Sequence, residues 1–135
     1  MCKGFIRVTD VLSKENLIAK LSSGCKAKED WRIGTEHEKF GFKKKDLRPI
    51  TFDDIQKIFS ELCSKYKWEK IIEDKKIIGL KKDATSITLE PGGQIELSGA
   101  PVKNLFETCK EVNLHQDELN AVCSCLLYTS DAADD

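Results

Sequence analysis

Apolar positions recur along this chain with two periods, and the change from one to the other marks its elements. In "SKENLIAKLSSG", Leu17, Ile18 and Leu21 fall on one helical face, Ser13 stands as N-cap and Gly24 sits where a C-terminal cap belongs. The polar link "KAKEDWR" follows, then a strand near 32–42 in "RIGTEHEKFGF", and "LRPI" as a turn or extended connector. "TFDDIQKIFSELCSKYK" is the clearest helix. Thr51 caps it, Asp53 and Asp54 suit its positive end, and Ile55, Ile58, Phe59 and Leu62 form one stripe. "WEKIIE", "KIIGLKK", "SITLEP" and "GGQIELSG" are short β-rich runs that predict an antiparallel meander. "APVKNLFETCKEVNLHQDELNAV" returns to helical spacing, with Pro101 near its start and Val102, Leu105, Phe106, Cys109 and Val112 as its apolar positions.

Composition narrows the function classes. The chain has 135 residues, 40% hydrophobic and 33% charged, which suits a soluble globular domain or part of one. A formal net charge of −1 implies no general attraction to nucleic acid or to an anionic membrane. No apolar run approaches the roughly 20 residues of a membrane helix. "MCKGFIRVTD" has neither a signal-peptide pattern nor a transit-like composition. The cysteines at 2, 25, 63, 109, 123 and 125 lack zinc-site spacing and read as scattered thiols of a reducing compartment, with a regulatory disulfide as the alternative.

The candidate chemistry lies in the first strand. Residues two apart on a strand share a face, about 7 Å apart, so Glu36 and Glu38 project together, with Phe40 and Phe42 continuing that face. His37 points to the opposite side. Two adjacent carboxylates repel unless a cation lies between them, and a hard divalent ion with oxygen ligands is the natural neutraliser. In "ITLEPGGQIELSGAP", Pro91, Gly92 and Gly93 form a tight turn. Beyond it Gln94 and Glu96 share one face and Ile95 and Leu97 the other, while Glu90 offers a further oxygen before the turn. By spacing alone such glutamates are more often a solvated strand face than a metal site, and no phosphate-loop or dinucleotide signature is present.

"SGCKAKEDWRIGTEHEKFGF", "WEKIIEDKKIIGLKKDATSITLEPGGQIELSGAP" and "TCKEVNLH" together resemble the N-terminal part of the glutamate–cysteine ligases of plant and proteobacterial type, over roughly residues 13–120. The resemblance implies an α+β fold, an antiparallel sheet with flanking helices forming part of a glutamine-synthetase-like catalytic funnel. It implies Glu36, Glu38 and Glu96 as magnesium ligands, with Glu90 and Gln94 as outer metal or substrate contacts. Magnesium as cofactor and ATP, glutamate and cysteine as substrates follow from it. So does ATP-dependent joining of the glutamate γ-carboxylate to cysteine through a γ-glutamyl phosphate, the first step of glutathione synthesis. The full-length parent would be cytoplasmic, or plastidic if a transit segment is missing, and a homodimer is open to it. Catalytic and ATP-binding residues are not assignable within this stretch. The open alternatives are a paralogous carboxylate–amine ligase, such as one serving ergothioneine synthesis, and a non-enzymatic interaction module.

"CLLYTSDAADD" breaks the helical pattern with Thr, Ser and Asp. It resembles the translation of a transposon-type sequencing adapter. The expected organisation is therefore 1–124 as the N-terminal part of a catalytic domain, truncated and inactive by itself, and 125–135 as an adapter-derived, disordered tail.

Overall fold

The computed structural model describes residues 12–132, with side chains through Ser130. The N-terminal segment with Cys2, and positions 133–135 of the expected tail, lie outside the described residues. The chain divides into two compact units at Trp31/Arg32.

The first unit carries helix α1, Lys14–Ser22. Ser13 Oγ accepts from the Asn16 backbone N–H and Asn16 Oδ1 accepts from that of Ser13, so two of the donors a helix start leaves orphaned are satisfied reciprocally. At the other end Ser23 is the cap and Gly24 follows it, donating to Leu21 O without a left-handed φ. The expected face of Leu17, Ile18 and Leu21 forms but stays exposed, and α1 buries no residue. The polar link contains a 3-10 turn at Lys28–Asp30.

The second unit is an α+β fold. Its strands are β1 (Glu36–Lys43), β2 (Glu69–Glu73), β3 (Lys76–Lys82), β4 (Thr85–Leu89), β5 (Ile95–Ser98) and β6 (Tyr128–Ala132); its helices are α2 (Phe52–Tyr66) and α3 (Leu105–Cys125). The strands form one sheet in the order β2-β3-β4-β5-β1-β6, every neighbouring pair antiparallel. The predicted meander is present as β2 to β5. The β2–β3 turn places Asp74 and Lys75 both at positive φ, the local twist that two-residue hairpins need.

Period-2 alternation sorts the sheet into two faces. Leu80, Ile87 and Leu97 lie in one cross-strand row that ends at His37, and they pack with Ile55, Ile58, Phe59 and Leu62 of α2 and Leu119 and Val122 of α3. These side chains are removed from water almost completely, each worth about 1.5–3 kcal/mol relative to exposure. Gln56 fastens α2 to β3: its amide donates to Ile77 O at 2.7 Å and accepts from Ile77 N–H at 2.9 Å. The other row runs Gly79, Thr88, Glu96, Glu38 and belongs to the opposite face.

Three expectations change. In α3 the helix begins at Leu105 behind the N-cap Asn104, and Val102 instead bridges Ile33. Leu105 and Phe106 are exposed, and the buried stripe is His115, Glu118, Leu119, Val122 and Cys123, so only the second half of the helix is covered by the core. The segment expected as a disordered tail is ordered where it is described. α3 runs through Cys125, and Tyr128–Ala132 pairs with β1. Tyr128 supplies the reason, because its ring packs on the core and its hydroxyl donates to Asp54 Oδ1 at 2.7 Å. In consequence the glutamate strand β1 is interior, between β5 and β6, and the sheet edges are β2 and β6. Among the described residues no helix is long and apolar enough to cross a membrane.

Candidate metal and substrate site

β1 and β5 bring the candidate carboxylates together by register. Glu38 is paired directly with Glu96, and Glu36 with Ser98. Directly opposed side chains have Cβ atoms about 4.5–5.5 Å apart, and like charges there are destabilising. Neither Glu36, Glu38 nor Glu96 joins an ion pair among the described residues. Both members of the opposed pair are half-buried, and each accepts one neutral hydrogen bond. Gln94 Nε2 donates to Glu38 Oε2 at 2.7 Å, and Ser98 Oγ donates to Glu96 Oε1 at 2.6 Å. These bonds orient the carboxylates without pairing either with a cation.

The turn before β5 depends on its glycines. Gly92 and Gly93 have φ of 82° and 85°, left-handed values that favour glycine, and Glu90 N–H donates to Gln94 O across the turn. That geometry delivers Gln94 to Glu38. After β5 the chain turns at Gly99, where a Cβ would overlap the Glu111 carboxylate. Glu111 Oε1 accepts from Ala100 N–H and from Thr85 Oγ1, both at 2.8 Å. The "SGAP" turn is therefore clamped from α3, and the clamp sets where β5 ends.

Of the five candidates, Glu38, Glu96 and Gln94 are neighbours. Glu36 lies on the same face one pleat further on, diagonal to Glu96 at about 7–8 Å by strand geometry. Glu90 borders a separate hollow with Ile50, Ile55 and Leu89. No group of three His, Cys, Asp or Glu side chains closes into a metal cage among the described residues. Two opposed carboxylates with an amide and a hydroxyl beside them are nevertheless an all-oxygen donor set, the chemistry a hard divalent cation takes. Ser98 was not singled out from the sequence; its position two residues after Glu96, on the same face, was the available signal. His37 lies on the helix side of the sheet, as its place in the alternation predicts. The described cysteines, 25, 63, 109, 123 and 125, are all free thiols.

Known proteins are similar to this chain in sequence over most of its length. The chain is 55% identical over 117 residues to a chloroplastic glutamate–cysteine ligase A of Oryza sativa subsp. japonica, covering 87% of this chain and 24% of that protein. It is 55% identical over 114 residues to the chloroplastic glutamate–cysteine ligase of Brassica juncea, covering 84% and 22%, and 54% identical over 114 residues to that of Arabidopsis thaliana, with the same coverage. The chain thus spans about a quarter of the length of the curated relatives it matches. Residues 32–129 match the family model of glutamate-cysteine ligase family 2 (GCS2), the stretch that holds the whole sheet from β1 to the start of β6, and the chain belongs to that family.

Proposed function

We propose that this chain is the N-terminal part of the catalytic domain of an ATP-dependent glutamate–cysteine ligase, and that the sheet face opposite α2 and α3 is one wall of a glutamine-synthetase-like funnel. The observation that carries the reading is the unneutralised opposition of Glu38 and Glu96 across β1 and β5, in a chain of this family. Glu36, Glu38 and Glu96 are the residues that would hold magnesium, with Gln94 and Ser98 fixing the carboxylates. Glu90 is the weakest member, because it faces a different hollow.

In the proposed reaction the γ-phosphoryl group of ATP passes to the side-chain carboxylate of glutamate, giving an acyl phosphate. The amine of cysteine attacks the acyl carbon, and phosphate leaves as the amide forms. Magnesium, when bound, supplies positive charge where the phosphate oxygens develop negative charge. The chain's own residues keep the charge of the wall negative and its geometry fixed. Substrates are glutamate, cysteine and ATP, and the chloroplastic names of the relatives support a plastid location for the parent. The division at Ser124 into catalytic-domain sequence and an adapter-derived tail rests on the sequence resemblance. A transcript from the source that reads "LLYTSDAADD" in frame would overturn it.

The test is Glu38→Gln and Glu96→Gln in the full-length parent. Each keeps side-chain size and loses one anionic ligand. Turnover is expected to fall about 100-fold or more, with a raised magnesium requirement and an unchanged thermal midpoint. Lys81→Gln is the control, since its pair with Glu69 is exposed on both sides and contributes little. Near-normal turnover of Glu38→Gln at ordinary magnesium would remove the ligand assignment.

A further inference from the structure

The buried stripe of α3 starts at His115, yet one side chain of the turn before it reaches the sheet beside the row that carries Glu36. Register sets Ser86 of β4, Ser98 of β5 and Glu36 of β1 side by side. Their chain neighbours Thr85, Gly99 and Thr35 belong to the helix side, because successive residues of a strand alternate between faces. Glu111 grips this end of the sheet. Its Oε1 accepts from Thr85 Oγ1 and from Ala100 N–H, both at 2.8 Å. Its Oε2 is buried against Gly99, where a Cβ would overlap it. Gly99 N–H in turn donates to Thr35 O at 2.7 Å, which ties the end of β5 to the residue before β1.

The frame that carries Glu111 is fixed independently of these strand ends. Two turns further along α3, Glu118 accepts from Trp68 Nε1 at 2.7 Å and pairs with Lys82 at 3.4 Å, and Leu119 and Val122 are in the core. Glu111 lies on the face opposite Glu36, Glu38 and Glu96, so any effect on them passes through the backbone. The path is short. Thr35 to Glu36, and Gly99 to Ser98, is one residue, about 3.4 Å along a strand. Ser98 then donates to Glu96 Oε1 at 2.6 Å. An apolar side chain at position 111 would still cover the sheet, but the Ala100 N–H and the Thr85 hydroxyl would lose their acceptor.

We propose that Glu111 is a positioning residue for the carboxylate site: it fixes where β1 begins and β5 ends, and so the places of Glu36 and of Ser98 with its bond to Glu96. The inference rests on reading the Glu38–Glu96 face as the magnesium wall, and it adds the device that holds that wall in register from behind. Hydrogen bonds to a carboxylate are roughly twice as strong as neutral ones, which suits a single side chain that anchors two strands. Groups misplaced by about 1 Å can cost about 100-fold in rate, so a clamp one residue from a ligand matters even though it touches no reacting atom.

The test is Glu111→Ala in the full-length parent, read in two ways. Amide hydrogen exchange of the magnesium-free protein should quicken in peptides covering 35–38 and 97–101, while the core of α2 stays protected. Turnover should fall about tenfold or more, with a raised magnesium requirement. Glu111→Gln keeps an oxygen for both donors and should restore both readouts. Gln56→Ala is the control for plain destabilisation, since it also removes two hydrogen bonds but acts on β3. It should leave the magnesium requirement unchanged. If Glu111→Ala does not fold, Thr85→Val decides, because it keeps the side-chain shape and removes one of the two donors. It should move both readouts the same way by less. Unchanged exchange at 35–38, a Glu111→Gln variant as impaired as Glu111→Ala, or an equal rise in magnesium requirement in Gln56→Ala would each overturn the proposal. A normal magnesium requirement in Glu38→Gln would remove the ligand assignment alone. Quickened exchange with lost turnover in Glu111→Ala would then still support the clamp.

Discussion

His115 couples the stability of the fold to pH. Its ring is buried between α3 and the sheet, with His37 and Lys39 of β1 beside it and Glu111 and Glu118 on its own helix. Desolvation lowers its pKa from the ordinary histidine value of 6.5 to about 4. The unfolded chain therefore takes up a proton that the folded chain refuses, and stability falls as pH drops from about 6.5 to about 4, by on the order of 3 kcal/mol across that window. Asp54 acts in a lower window. Hydrogen bonds from Thr51 and Tyr128, against opposing desolvation, hold its carboxyl below the usual range, so its contribution is complete above the unfolded value near 3.9 and lost as pH falls below it. Chemical denaturation at pH 7 and pH 5 checks the first of these. His115→Leu should flatten the difference, and an equal slope in both proteins would assign it elsewhere. At the same scale, Gly99→Ala drives a methyl into the Glu111 carboxylate and should cost about 1–3 kcal/mol, read from the urea midpoint.

Elements were legible in the sequence where one local rule determines them. The alternation Glu36-His37-Glu38-Lys39 assigns faces because side chains on a strand repeat every two residues, and the capping boxes at Ser13 and Thr51 depend on residues three apart. What was hidden depends on long separation. The pairing of Glu38 with Glu96 is set by hydrogen bonding between strands more than fifty residues apart. β6 was missed because "YTSDA" lacks a clear apolar alternation, and its one anchor, Tyr128 on Asp54, joins residues far apart in the chain. In α3 the helical period was visible, but which half of the helix would meet the core was not. Two predictions belong here. Lys75→Gly relieves a left-handed residue in the β2–β3 turn and should stabilise by about 0.5–1 kcal/mol, seen as a rise in Tm. Deleting residues 126–135 removes β6 and the Tyr128–Asp54 bond and bares the edge of β1. A loss on the order of 2 kcal/mol is expected, and an unchanged Tm would mean that β6 contributes nothing to the fold.

At the scale of the molecule, the second unit is one layer of helix on one layer of sheet, with the carboxylate row on the face opposite α2 and α3. A two-layer arrangement satisfies one face of an antiparallel sheet and leaves the other to water or to further chain. Here that other face carries Glu36, Glu38, Phe40 and Glu96, and Phe40 is 37% exposed. Among the described residues β2 and β6 are the two edges of the sheet, and exposed edges template pairing with other chains. Exposed Leu105 and Phe106 at the start of α3 add apolar surface in the same unit. Two consequences are expected of the 135-residue chain expressed by itself. It should associate at micromolar concentration, as size-exclusion chromatography with light scattering would show. It should also form no γ-glutamylcysteine from ATP, magnesium, glutamate and cysteine. Glu38 and Glu96 are in register, but the described residues close no three-ligand cage, and a divalent ion held by one opposed pair on an open wall binds weakly. Weak manganese binding, detected as broadening of resonances near Glu38 and Glu96 and abolished by Glu38→Gln, is compatible with that outcome. A monodisperse monomer that makes the dipeptide would overturn it, and would place a complete active site within a single six-stranded sheet.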